Sequence, residues 1–385
     1  MPELSQSHHI EYSFKREINE LFTSVSLKNI AIALVAIFEP IFFYQFFGNS
    51  VIHVLLFFSI ISILFGIFVS FGAKVVSKIG VKHSILLSMP FIILYYFGLN
   101  WLETFNWIIY LLPVLNVTYK IFFWPAYHLD FAKFSEGKTR GRQLGILKII
   151  NLSAGALSPL LGGFIIMYFG FNVLFIFAIV LLISSVIPLF LSKEVYDKFD
   201  FNYKALKKVI TKHHFGSHLS FIGWGIDSGV DTIIWPLMLF LVLGNFSTIG
   251  GIAAVATLVI ILFVFYIGKL SDKYGAKKIM KIGIIPTALG WLGRGFVVNV
   301  FSAFTLNSFY KFSFQVLSLG FNKEVYKRMN LDTTRLNYIV YREIMLHSGR
   351  VFVLIAAAVL FILTGSFLPA VIIAAIGILI MNLYY

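Results

Sequence analysis

The chain has 385 residues, of which 59% are hydrophobic and only 12% charged, with a formal net charge of +14. A soluble domain carries about twice that charged fraction, so a single water-solvated fold is excluded. Three blocks, Ile149–Ser192, Thr232–Gly268 and Val351–Tyr385, hold no Lys, Arg, Asp or Glu; each is long enough for two bilayer crossings of about 20 residues and far longer than a barrel strand of about 10.

In chain order, residues 1–28 form an N-terminal segment that mixes acids and bases without the apolar core of a cleavable signal. Phe14, Ile18, Leu21, Phe22 and Val25 share one helical face, as in an interfacial helix; a plain solvated leader is the alternative. Apolar runs then predict spans at 29–48, 51–73, 84–102, 106–129, 143–169 and 171–191, with a tight turn at Tyr168–Asn172. A charged cytoplasmic linker covers 192–216. Six further spans follow at 217–243, 249–270, 279–298, 302–321, 339–363 and 367–384. The expected fold is all-α, with twelve transmembrane helices in two pseudo-symmetric six-helix bundles, 29–191 and 217–385.

The basic charge tracks topology. Of 31 Lys and Arg, 27 fall in one alternate set of loops and termini, four lie inside spans, and the opposite loops have none. That asymmetry puts both termini in the cytoplasm of a multi-pass protein of the cytoplasmic membrane. It makes anionic membrane lipids, and no nucleic acid, the expected partner of the positive charge. There is no cysteine, hence no disulfide.

The halves repeat. Pro40 and Gly48 match Pro236 and Gly244 at an offset of 196, and Ser77–Lys82 matches Asp272–Lys277 at 195. Thr139, Arg140 and Ser153 match Thr334, Arg335 and Ser348 at 195, while Asn116–Lys120 matches Asn307–Lys311 at 191. Repeated halves about a central site are a recurrent transporter design.

Gly268–Lys277, reading GKLSDKYGAK, resembles the cytoplasmic loop signature of the major facilitator superfamily, with Gly268, Asp272, Lys273, Gly275 and Lys277 at its spacing. The resemblance implies a rocker-switch carrier with a cavity lined by spans one, four, seven and ten. It also implies a gating role for the motif, whose acid at a helix end holds a neighbouring helix terminus or cation. The first-half copy departs from the pattern, with Ser77 where the acid belongs. On span five, Gly145, Ala154, Ser158, Pro159, Gly162 and Gly163 resemble the antiporter motif of drug-exporting members; a generic packing face of small residues is the alternative.

Charges inside spans are costly and mark candidate sites. They are Glu39, Lys120, Asp227, Asp231, Arg294, Lys311 and Arg350. Trp224, Asp227, Ser228, Asp231 and Trp235 share a face of span seven, and Asn116, Lys120, Trp124 and His128 a face of span four, so Trp124, Trp224 and Trp235 are expected cavity aromatics. Gly223, Gly225 and Gly229 are expected to loosen span seven. Pseudo-symmetry pairs Glu39 with Lys120 and Asp231 with Lys311, either as proton-loading groups or as static pairs that set packing. Gly137–Thr139 lacks the leading glycine and strand of a phosphate loop, and His213, His214 and His218 lack companion ligands, so no metal is expected. No acid, His and Ser constellation indicates an enzyme. The expectation is a monomeric secondary transporter for a small molecule, using a proton gradient and no cofactor for export. Uptake of a small polar or anionic metabolite is the runner-up, and a non-transporting sensor or scaffold is the rival class.

Overall fold

The computed structural model describes residues 23–134, 152–153, 155–191, 199–212, 214–331 and 335–384. The interfacial face of residues 14–22, the start of span five with Gly145 and Ala154, Gly137–Arg140, His213 and Thr334 lie outside the described residues.

Twelve membrane helices occupy the described chain. Spans one to three are Thr23–Phe46, Val51–Ile79 and Val81–Trp101. Span four is Leu112–Phe134. Ser158–Leu191 contains spans five and six, divided at Gly170, whose φ of 79° breaks the helix. Spans seven to twelve are Phe215–Leu243, Phe246–Tyr274, Ala276–Arg294, Val300–Leu331, Arg335–Thr364 and Leu368–Ile380. A short linker helix, Tyr203–Lys212, buries Leu206 and Val209 and exposes Lys204, Lys207 and Lys208. Among the described helices, spans nine and ten do not pass for membrane helices by hydropathy alone. They carry Arg294, and Asn307, Lys311 and Gln315, most of them turned into the protein. Outward faces are apolar throughout: Leu262, Leu363 and Phe301 are more than 70% exposed, which suits lipid and not water.

The backbone repeats with the sequence. Six glycines adopt positive φ, and they fall into three pairs: Gly48 with Gly244, Gly80 with Gly275 and Gly170 with Gly365. Their φ values, 63° with 64°, 85° with 88° and 79° with 65°, agree within each pair. Side chains rarely tolerate this region, so these turns are punctuated in the same way in both halves.

Several helices outrun their apolar stretches, because backbone hydrogen bonding continues beyond the membrane surface. Span ten reaches Leu331 rather than 321, so Lys323 rides on a helix instead of a loop. Span eight reaches Tyr274, which makes the sharp motif a helix end rather than a loop. Lys28, expected in the N-terminal segment, lies inside span one, buried with its Nζ 3.3 Å from the centre of the Phe123 ring.

The halves meet most extensively along two helix pairs. Span five packs on span eight, where a Cβ on Gly163 would stand 2.4 Å from the Phe246 carbonyl oxygen and one on Gly250 2.1 Å from that of Pro159. Span two packs on span eleven through Phe65 and His347, with ring centres 4.1 Å apart.

Candidate functional site

Between the halves lies a cavity of two lobes. Lobe one, about 410 Å³, is enclosed by spans one to four, seven and eleven. Lobe two, about 440 Å³, lies between spans one, five, seven, eight and ten. Ile32, Ala36 and Thr232 line both. Each volume suits a small organic molecule.

In lobe one, Pro40 has no N–H to offer Ala36, and span one opens into a turn at Ile37 and Phe38 just before Glu39. Glu39 accepts a hydrogen bond from the Tyr95 hydroxyl on span three. Lys120 and Trp124 on span four line the same lobe, as do Trp224 on span seven and Arg350 on span eleven. The expected contact between Glu39 and Lys120 does not form: Tyr95 binds the carboxylate, and Lys120 has no ion pair or hydrogen bond among the described residues. Arg350 crosses to span seven, where it donates to the Thr232 hydroxyl and, at 3.5 Å, to the Ser228 carbonyl, neither of them an acid.

The second-half charges form a connected network, in which Arg294 Nε alone among the described charged nitrogens of the cluster is buried without a partner. Asp231 accepts from Lys311 at 2.7 Å and from Arg294 at 2.9 Å. Arg294 is fully buried, with its guanidinium carbon 3.7 Å from the ring centre of Tyr310, 4.2 Å from Trp235 and 4.7 Å from Trp291. It also donates to Asn307 at 2.5 Å, which accepts from the Trp235 indole at 3.1 Å as well. Stacking and forked donation of this kind suit Arg and not Lys. Asp227 accepts from Trp291 and Tyr310, each at 2.7 Å. Asp227 and Arg294 line neither lobe; Asp231, Trp235 and Lys311 line lobe two. The expected single face of span seven is therefore divided. Trp224, Ser228 and Thr232 face lobe one, while Asp227 turns towards spans nine and ten. A π-helical turn at Val230–Ile234 contributes, as it shifts helix register beside Asp231 just before Pro236, which cannot donate to the previous turn. Gly223, Gly225 and Gly229 sit at tight contacts with spans eleven and twelve; a Cβ on Gly225 would meet the Leu346 carbonyl oxygen at 1.8 Å.

At the helix end carrying the sharp motif, Asp272 accepts from Lys323 on span ten at 2.6 Å, and Lys323 also donates to the Ser271 carbonyl at 3.1 Å. Gly268 is buried in span eight, Lys273 lies 5.1 Å from the Tyr274 ring centre, and Gly275 makes the turn to Lys277 on span nine. Ser77, at the first-half position, donates only to the Lys74 carbonyl of its own helix. On span five, Ser158 is buried, Pro159 lines lobe two, and Gly162 and Gly163 lie against the backbones of spans one and eight.

Polar contacts also cross the halves at the end of the bundle near these motifs. His128 on span four shares a 3.0 Å hydrogen bond with the Tyr326 hydroxyl on span ten, and its other ring nitrogen stands 3.0 Å from Arg342. Arg342 donates to Glu343 at 2.5 Å. At the opposite end, near the turns at Gly48, Gly170 and Gly244, the contacts between the halves are aromatic: Phe171 on Phe246 at 5.5 Å and Tyr44 on Phe240 at 6.3 Å. Tyr95, Trp291, Tyr310, Arg342, Glu343 and His347 were not singled out by sequence. The spacing of Glu343, His347 and Arg350 does place them on one face of span eleven; nothing local singles out Tyr95.

No family model matches the chain. Uncharacterized protein YqgE of Bacillus subtilis (strain 168) is 24% identical over 260 residues, 62% of this chain and 57% of that protein; the match thus spans less than two thirds of the relative. The crystal structure of the human organic anion transporter MFSD10 (TETRAN) is similar with a TM-score of 0.70 and 13% identity, over 96% of this chain and 99% of that one. A structure of the E. coli fucose:proton symporter FucP aligns with a TM-score of 0.67 and 13% identity, over 95% and 97% of the two chains. FucP in the outward conformation, described as a Major Facilitator Superfamily transporter, aligns with 0.66 and 12% identity over the same shares. At that identity the likeness is one of architecture, and it spans both bundles: the chain has the fold of the major facilitator transporters.

Proposed function

We propose that this protein is a secondary transporter that moves a small molecule across the cytoplasmic membrane by alternating access, driven by a proton gradient and without a cofactor. The observation that carries the reading is the charged, two-lobed cavity between two pseudo-symmetric bundles. Charges held within a membrane interior persist where they face a water-filled path or one another, and this cavity offers the path. The halves touch through polar groups at one end and aromatic rings at the other, which suits two gates closing in turn. The spacing of small residues on span five supports export. A second reading, uptake of a small polar or anionic metabolite, is favoured by Lys120 and Arg350 outnumbering Glu39 in lobe one.

The absence of native cysteine allows a direct test. Ser228→Cys in lobe one, Ser247→Cys and Lys208→Cys are labelled with a membrane-impermeant maleimide in right-side-out and inverted vesicles. Ser247→Cys should label only from outside and Lys208→Cys only from inside. Ser228→Cys should label from both sides, in proportions that move with an imposed proton gradient. Labelling of Ser228→Cys from a single side under every gradient would end the alternating-access reading and leave the scaffold.

A further inference from the structure

Lobe one carries a charge that the chain does not neutralise. Of the charged groups in its lining, Arg342 and Glu343 are paired at 2.5 Å. That leaves Lys120 and Arg350 facing one acid, Glu39, which is hydrogen-bonded to Tyr95 and in contact with neither cation. Lys120, Arg350 and Glu39 line the same lobe from spans four, eleven and one. Both cations are half-buried, and a cation held inside a membrane span without a contacting anion is a costly arrangement.

Three polar atoms of lining residues are buried without a hydrogen-bond partner, the acceptor Oδ1 of Asn116 and two ring or guanidinium nitrogens. Nε of Arg350 and Nδ1 of His347 are buried without a hydrogen-bond partner, and His347 is only 6% exposed. Buried polar atoms are satisfied in the large majority of cases. Arg350 Nε can only donate, so it marks the place of an acceptor that the chain does not supply; His347 Nδ1, one helical turn away in the same lining, donates or accepts according to its tautomer. The remaining wall is aromatic: Tyr119, Trp124 and Trp224 line the lobe beside Lys120.

Resting on the transporter reading, we propose that lobe one binds an amphipathic organic anion, a carboxylate or sulfonate. Its head sits between Lys120 and Arg350 and its apolar body against Tyr119, Trp124 and Trp224. Glu39 is then a competitor for the same two cations, and its charge sets how tightly the anion is held.

Phenylbutyrate, phenylbutylamine and phenylbutanol share a body and differ in the head group. With the purified full chain, phenylbutyrate should quench tryptophan fluorescence saturably and raise the melting temperature. The amine and the alcohol should bind at least about tenfold more weakly, the scale of one charge-assisted hydrogen bond. Lys120→Met and Arg350→Met should each lose about tenfold in phenylbutyrate affinity, Lys120→Arg should retain most of it, and Glu39→Gln should tighten it. Selectivity among the three probes is measured on the unaltered protein, so a variant that fails to fold leaves the test intact. Equal or tighter binding of the amine or alcohol, or no saturable binding of phenylbutyrate at millimolar concentration, overturns the proposal. Proteoliposomes separate the two readings. Anion-selective binding without phenylbutyrate flux, together with one-sided labelling of Ser228→Cys, keeps the site and removes the transporter. Two-sided labelling without anion selectivity does the reverse.

Discussion

The two halves share a backbone plan and differ in what they do with charge. In the second half, Asp231 touches both Lys311 and Arg294, Asp227 is held by Trp291 and Tyr310, and Asp272 is held by Lys323. In the first half, Glu39 has a tyrosine, Lys120 has no contact partner among the described residues, and Ser77 bonds only to its own helix. Ion pairs and hydrogen bonds among Asp231, Lys311 and Arg294 hold spans seven, nine and ten against one another, with Arg294 Nε the atom left over. Lys120 of the first half and Arg350 of the second line lobe one without a contacting acid among the described residues. The two pseudo-symmetric frames thus carry different side chains: in the second, Asp231 pairs with two cations, and in the first, Glu39 contacts neither Lys120 nor Arg350, which line its lobe.

The sharpest way to break this comparison is at Asp231. Asp231→Asn strands the fully buried Arg294 beside Lys311, which should cost about 3–5 kcal/mol, read as a lower melting temperature in detergent. Glu39→Gln keeps an acceptor for Tyr95 and should cost about 1 kcal/mol or less. Adding Lys311→Met to Asp231→Asn should restore only part of the loss, because Arg294 stays unpaired. Equal destabilisation by Asp231→Asn and Glu39→Gln would erase the distinction between the halves.

A smaller effect is expected one layer deeper. Trp291→Phe removes one of the two donors to buried Asp227, a charge-assisted bond worth about 1.5–3 kcal/mol. Lobe one should be untouched, so anion binding there should not move. A change in that binding with unaltered stability would couple Asp227 to the cavity and blur the division.

The smallest stability effect belongs to the helix-end motif. Lys323 and Asp272 are 19% and 26% exposed, so Asp272→Asn should cost only about 0.2–1 kcal/mol. Its effect should appear in transport rate instead, since the bond ties span eight to span ten. Ser77→Ala should leave the rate unchanged. Equal loss of transport from both substitutions, at matched expression, would remove the asymmetry from the gates.

Much of the frame was legible in the chain. Apolar length located most of the described spans, turn glycines located their ends, and the 195- and 196-residue offsets reappear as paired positive φ at Gly48 and Gly244, Gly80 and Gly275, and Gly170 and Gly365. Mid-span charge singled out Asp231, Lys311 and Arg294, and pseudo-symmetry paired the first two. The same symmetry argument paired Glu39 with Lys120, and there it failed, because Tyr95 on span three took the carboxylate.

What the sequence determined by itself was whatever depends on a residue and its chain neighbours: hydropathy along a helix, a proline's missing donor, a glycine's positive φ. The tertiary structure decided which groups meet, because contact depends on how each helix is rotated and how deep it sits. Arg294 became the second partner of Asp231 because three aromatic rings from spans seven, nine and ten close around it. Asp227 left the cavity because its donors lie on spans nine and ten. Lys120 and Arg350 came to share one lobe because span eleven packs beside span two and crosses to span seven. None of these rotations is written in the period of a single helix, and the lining of lobe one is made of them.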